Sequence, residues 1–479
     1  MRMIQIENKK EGQLTLQIVF FTAIVVIFIS GFTFAALSFL KLSVRSFNKF
    51  QAFTIAEAGI EYYRWHLAHN QIDYQDGTSQ PGPYTHNYYD KNGTVIGQFI
   101  LEITQPPAGS TITGIKSTGK AMADSSIEKV IEVTMGIPSF AKYAWAINSE
   151  VTFGAAAEVF GLVHSNGGIH FDGLAHNLVT SALTSYDDPD HNEAGTDPLE
   201  WAVHTHRTTV DPLPPTAMPP RPDVFLAGRQ VGVPALNFAG MIQDLADIRT
   251  KAIASSTYFP SSTVLGYDLK FATSGLFSLY KVTALVLPTG NCTSSATGWG
   301  SWSIQSETLF ATGTIPANGN IFVEDNLWVS GQINGKRVTV ASGRFPDSAS
   351  TRSNIIVNND LLYTNYTGGD VIALLSQNNI NIGLVSEDDL RVDGALIAQN
   401  GRVGRFSYGG SNCGATRTRA KFTSYGMLGS NQRPGLYYST TNGYQERVYI
   451  YDGNLLYAPP PSFPLAGDQY SLLSWEETK

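Results

Sequence analysis

The sequence predicts an α+β fold dominated by β-structure: a long N-terminal α-helix, a small β-sheet, and a large β-rich remainder read as a parallel β-helix or solenoid. Three observations predict it. Residues 13–70 keep helical periodicity with no breaker, two alternating strand patterns follow, and from Gly319 short apolar runs recur between Asn, Asp and Gly clusters. A β-sandwich is the alternative, because the spacing of those runs is not strict and Asn-rich turns occur in both architectures.

The helix comes first. No charged residue lies between Gln13 and Leu40. At about 1.5 Å rise per residue, Ile18 to Leu40 is long enough to cross roughly 30 Å of hydrocarbon. Past Lys41 the pattern becomes amphipathic: Leu42, Phe50, Phe53, Ile60 and Leu67 fall near helical spacing, with Arg45, Lys49, Glu57, Glu61 and Arg64 between them. Only the permissive Gly31 and Gly59 interrupt it, so 13–70 reads as one helix of about 80 Å. Basic residues flank the apolar run on both sides, so charge does not set its orientation. A cleaved secretory signal fits poorly, since its apolar core would be shorter and followed by small residues.

Residues 71–137 form the expected small sheet. After a polar, aromatic loop over 71–89, strands are predicted over 94–104 and 127–135, joined by the hinge ITGIKSTGKAMADSS. Residues 138–479 form the β-rich domain. In it, Asn166-Gly167 reads as the turn of a hairpin. Residues 186–226, with PLPPTAMPPRP, suit an extended excursion but not a sheet interior. Over 237–255, Phe238, Met241, Ile242, Leu245, Ile248 and Ala252 share one helical face, and a strand segment follows over 267–286. Beyond Gly319 come runs such as Val338-Thr339-Val340, Ile355-Ile356-Val357 and Ile380-Asn381-Ile382. Asn residues between them are expected to stack at the corners and satisfy turn backbone groups.

Composition narrows function. The net charge of −8 argues against nucleic acid as a partner; Arg402, Arg405, Arg417, Arg419 and Lys421 form a local basic segment read as a solvated loop. Cys292 and Cys413 either pair, in an oxidising compartment, or remain two thiols. His164, His170 and His176 recur every six residues, and His204-Thr205-His206 sits near Asp187, Asp188, Asp190, His191 and Glu193. Such residues can bind Zn²⁺ or Cu²⁺ only if they converge, and the acidic run could hold Ca²⁺. Nothing in the spacing specifies convergence, so no metal and no cofactor is expected. No nucleophile elbow, Walker loop or zinc-protease signature occurs, and Asp360, Asp370, Glu387, Asp388, Asp389 and Asp393 read as turn acids rather than a cleavage pair. The chain is therefore not expected to be an enzyme.

The leader MRMIQIENKKEG, closed by Gly12 and followed by this helix, resembles a type IV prepilin. The stretch Ala56-Glu57-Ala58-Gly59 resembles that of PilX-type minor pilins, and so does the tail carrying Tyr451, Asp452, Leu455, Pro459, Pro460, Pro461 and Phe463. The resemblance implies a leader over 1–12 cut between Gly12 and Gln13 by a prepilin peptidase, with methylation. It also implies a helix packing among other pilins through Gln17, Glu57 and Gly59, and a pilin-like sheet over 71–137. The expected role is a large minor pilin of a type IV pilus or related filament, as a structural, assembly or tip subunit. Its partners would be other pilins, the inner-membrane assembly platform, cytoplasmic membrane lipid, and a surface or glycan ligand. It would sit in the cytoplasmic membrane with its bulk outside, and then in the pilus at the cell surface. Gln17 departs from the family, which has Glu at that place; a neutral amide cannot supply the charge that repeated stacking uses, which favours a tip position. The alternatives are a membrane-tethered glycan-binding adhesin and a polysaccharide-active enzyme on a pilin stem.

Overall fold

The computed structural model describes residues 11–106, 110–191, 198–238, 242–286, 292–294, 303–409, 413–465 and 469–478. The chain divides into two compact units: Met1–Gln105 with Thr113–Met135 and Leu472–Lys479, and Pro106–Ile112 with Gly136–Ser471.

In the first unit, α1 (Glu11–His69) is one unbroken helix of 59 residues. Its two halves differ in environment. From Leu14 to Leu40 the large apolar side chains other than the half-buried Ile24 are exposed, Phe32 to 82 %. From Ala52 onward one stripe is buried: Ala52, Ile55, Ala56, Ile60, Tyr63 and Leu67. That stripe lies on a sheet whose strands run in the order β1 (Tyr84–Tyr89), β2 (Val95–Thr104), β3 (Thr113–Ala121), β4 (Asp124–Gly136) and a final strand, Ser471–Glu477. The first four pair antiparallel. Glycines set how closely helix and sheet approach. A Cβ on Gly119 would lie 2.0 Å from the Ala52 carbonyl oxygen, one on Gly97 2.3 Å from Ile55 Cδ1, and one on Gly59 2.3 Å from Ser117 Oγ.

Several expectations change here. The predicted loop over 71–89 ends in strand β1, and the predicted hinge contains strand β3. The division at residue 137 also fails at the C-terminus, because Ser471–Glu477 returns to this first sheet.

The second unit winds in turns of three short strands, stacked in parallel register. One turn consists of Arg337–Ser342, Ile355–Ile356 and Leu361–Tyr363, and each pairs with its counterpart one turn on. Down one face, Ile321, Val340, Leu374, Leu396, Leu428, Trp145, Val163 and Val179 stand in register, each parallel to the next. All eight are buried in a single core. A second face aligns Leu327, Ile355, Ile380 and Val403, and a third aligns Tyr449, Val159, Ala175 and Phe225. These parallel ladders are not those of a sandwich, whose sheets are antiparallel.

The stacking order is not the chain order. The chain enters in the middle of the stack at Trp145–Ile147, winds to one end at Arg229–Gln230, and resumes at the other end with Tyr258–Phe259. It then winds back until Val448, Tyr449 and Ile450 meet Glu158, Val159 and Phe160. The return segment carries α2 (Ile242–Ala254). Phe238, Leu245, Ile248 and Ala252 pack there on Phe322, Ala341 and Leu375. Strand Val371–Ser376 is buried at every position, as strands covered on both faces are. Met241, expected on the same helical face, lies outside the described residues, as does the side chain of Ile242.

The Asn166-Gly167 hairpin does not form. Val163–Ser165 and Ile169–Phe171 belong to different faces of one turn, and the dipeptide is the corner between them. Gly167 is needed because a Cβ there would lie 2.5 Å from the backbone of Ser149, in the corner of the neighbouring turn. The Pro-rich excursion over 186–226 also contributes to the stack: Val203–His204 pairs in parallel with Ile169–Phe171, and Phe225 bridges Ala175.

Candidate functional site

The stem presents its candidate residues in three environments. Gly12 and Gln13 lie in the first turn of α1; residues 1–10 and the side chains of 11–13 lie outside the described residues. Gln17 is exposed on the bare apolar half and Glu57 on the amphipathic half. Gly59 is buried against Phe99 and Ser117, so the chain's own sheet occupies it and it is not open to a neighbouring helix. Three hydroxyls in the apolar half are satisfied internally: Thr22, Thr33 and Ser38 donate to the carbonyls of Ile18, Ile29 and Phe34 at 2.6, 2.8 and 2.8 Å. A helix that closes its own hydrogen bonds in this way is suited to lipid.

Cys292 and Cys413 form a disulfide, with Cα atoms 4.6 Å apart. Their segments also pair as strands, Thr293 and Ser294 against Gly409 and Tyr408. The basic segment is not the solvated loop expected. Arg405 is fully buried and donates to the carbonyls of Arg417, Thr416 and Leu384 at 2.7, 2.7 and 3.0 Å. The guanidinium of Arg402 lies 4.0 Å from the ring centre of Phe406. The acids of the stack hold backbone together. Asp370 accepts from the N–H groups of Lys336, Thr364 and Asn365, and Asp393 from Tyr363 N–H, Tyr366 O–H and Arg391.

Side chains converge most closely on the face of the stack covered by the excursion. Parallel pairing sets His204 directly beside His170, with ring centres 4.9 Å apart. The antiparallel pair Ser185–Tyr186 and Glu200–Trp201 brings Asp188 and Glu200 over them. His170 Nδ1 lies 2.9 Å from Asp188 Oδ2, and His204 Nε2 lies 3.4 Å from the same oxygen and 3.0 Å from Glu200 Oε2. His206 Nε2 and His191 Nδ1 reach Glu200 Oε1 at 2.7 and 3.1 Å. His170, Asp188, Glu200 and His204 are each more than nine-tenths buried.

The other ring nitrogens are already committed. His170 Nε2 is 3.0 Å from Asp172 Oδ2, and His204 Nδ1 is 3.0 Å from the carbonyl oxygen of Trp201. Asp172 is itself held by Thr205 Oγ1 and the N–H of His206. Burial opposes the charged form of His170, but Asp172 and Asp188 outweigh it and raise the ring to about 9. Burial would likewise raise Glu200, yet His204 and His206 hold its carboxyl down at about 2.

Sequence reasoning named His170, Asp188, His191, His204 and His206 without being able to show convergence, and it missed Asp172 and Glu200. The alternations His170/Asp172 and His204/His206 on neighbouring strands were the available signal. Glu193 lies outside the described residues, His164 contacts Tyr143 instead, and His176 pairs with Glu158 at 2.9 Å.

No protein-family model matches the chain, and no curated protein matches it. Among solved structures, the chain is similar to the competence-associated pilin ComZ from Thermus thermophilus. Identity is 12 %, over 90 % of this chain and 97 % of that one, with a TM-score of 0.30.

Proposed function

We propose that the chain is a large minor pilin: a non-catalytic filament subunit anchored in the membrane by α1 until assembly. One observation carries the reading. A single helix exposes an apolar half long enough to cross a bilayer and buries the stripe of its other half on an antiparallel sheet of its own chain. Large apolar side chains in contiguous exposure need a partner, and lipid followed by neighbouring helices supplies one before and after assembly. The leader closed by Gly12 and the AEAG stretch agree with that order of events. Gln17 stands where the family carries a charge, and a buried charge is tolerated only when paired. A subunit with a neutral amide there suits a place where one side of the contact is never made, so a tip or initiating position with few copies follows.

The adhesin reading keeps one supporting observation. Where the two arms of the stack meet, a cavity of about 520 Å³ is lined by Trp145, Tyr437, Tyr438, Arg402, Arg433 and Arg447. Immunogold labelling of sheared filaments tests the assignment. Labels at one end support a tip subunit, labels along the shaft support a pilin without the tip position, and filaments free of the chain contradict it.

A further inference from the structure

We propose that His170, Asp188, His204 and His206 form a binding site for one transition-metal dication of the Zn²⁺ class, which ties the 186–226 excursion to the stack. The inference rests on lone pairs and does not depend on the filament reading. His170 Nε2–H donates to Asp172 Oδ2, and His204 Nδ1–H donates to the Trp201 carbonyl. In neutral rings, His170 Nδ1 and His204 Nε2 are then acceptors. Both face Asp188 Oδ2, a third acceptor, at 2.9 and 3.4 Å. These three atoms are buried and none makes a hydrogen bond. Acceptors that converge in a desolvated place need a positive charge between them, a metal ion or a proton.

The spacing suits a metal. Ligand atoms about 2.0–2.1 Å from a tetrahedral ion stand roughly 3.3 Å from one another, close to the two separations observed. His206 completes a set of four whose ligand atoms all lie within 4.8 Å of one another. Imidazole-rich sets favour Zn²⁺, Cu²⁺ or Ni²⁺, whereas Ca²⁺ requires oxygen ligands. The outer contacts have the form that metal-bound histidines use: one ring N–H on a carboxylate, the other on a backbone carbonyl. Glu200 Oε2, also buried without a hydrogen bond, faces the same His204 Nε2 at 3.0 Å and adds a further acceptor beside the set, while its Oε1 lies 2.7 Å from His206 Nε2.

The rival is a set of doubly protonated rings paired to the same carboxylates, with no metal. Full-length protein in detergent, without a polyhistidine tag, is stripped by a chelator and titrated with Co²⁺ as the spectroscopic probe. The expected result is one equivalent per chain with four-coordinate ligand-field absorption, displaced by Zn²⁺ but not by Ca²⁺. His204→Ala should abolish it and His176→Ala should leave it intact. Asp172→Asn, which keeps every ligand, should weaken affinity by about 10–100-fold, and this covers the case in which His204→Ala does not fold. Folded wild type that takes up no stoichiometric Co²⁺ or Zn²⁺ would overturn the site. So would displacement by Ca²⁺, or uptake undiminished in both His204→Ala and Asp172→Asn.

Discussion

Asn354 shows how single residues hold the turns together. Its backbone N–H donates to Asn326 Oδ1 at 3.0 Å, and its own Oδ1 accepts from Asn379 N–H at 3.2 Å. Asn379 Oδ1 accepts in turn from Arg402 N–H at 2.9 Å. Each amide satisfies a corner N–H that no strand reaches. Asn354→Ala should therefore leave the Asn379 N–H without its partner and cost about 1–3 kcal/mol, read as a lower urea midpoint. A second residue gives a pH dependence. Burial, with Glu307 beside it, pushes the Asp268 carboxyl up to about 7 against the pull of Lys270. The folded state thus holds this proton more tightly than the unfolded chain, whose value is about 3.9. The contribution to stability is full below that value and is lost as pH rises through about 7. Asp268→Asn should flatten the pH profile of the melting temperature across that window; an unchanged slope would refute it. The corner asparagines were legible because their clusters punctuate apolar runs. The histidine centre was not, because its members come from strands and a hairpin that only the stacking order brings together.

At the scale of elements, α1 depends on small residues opposite it. Gly119→Val would push a side chain against the Ala52 carbonyl and the Ala56 backbone, since a Cβ alone would lie 2.0 and 2.5 Å from them. Overpacking of this kind costs about 1–3 kcal/mol. Here the neighbours are backbone and cannot rotate away, so a lower melting temperature should come with loss of native near-ultraviolet dichroism. The same closeness explains a missed strand. Strand β3 alternates strictly between buried and half-buried positions, yet its buried residues are Thr113, Ile115, Ser117, Gly119 and Ala121. A helix pressed on the sheet requires small residues there, so hydropathy does not alternate. In contrast α1 announced itself, because an apolar run followed by an amphipathic one needs no tertiary context to be read.

The order of the stack is a property of the whole molecule. Because the second arm ends where the first begins, the entry and exit of the second unit are neighbours: Ser139 bridges Leu465, and Phe140 N–H donates to the Pro464 carbonyl at 3.0 Å. A unit inserted into another needs ends that meet in this way. A corner amide crosses the junction of the two arms, Asn148 to Asn431 at 2.8 Å, and the ladder continues within the first arm from Asn166 to Asn148 at 2.7 Å. Residues 136–471 should consequently fold alone, with mainly β-type circular dichroism and no free thiol in unreduced, denatured protein. Two thiols per chain would contradict the Cys292–Cys413 bridge. Reduction should cost at most about 5 kcal/mol for a bridge between residues 121 apart. Stacked short strands were foreseeable from the recurring apolar runs after Gly319. Their permuted order was not, since Tyr449 and Val159 pair across a separation that no local pattern records. The central claim, a filament subunit released by leader cleavage, is tested most directly by N-terminal sequencing of the full chain made with and without a prepilin peptidase. The account predicts a mature chain beginning at Gln13 only when the peptidase is present, and no processing when Gly12 is replaced by a bulky residue. Met1 retained in the presence of an active peptidase would contradict it.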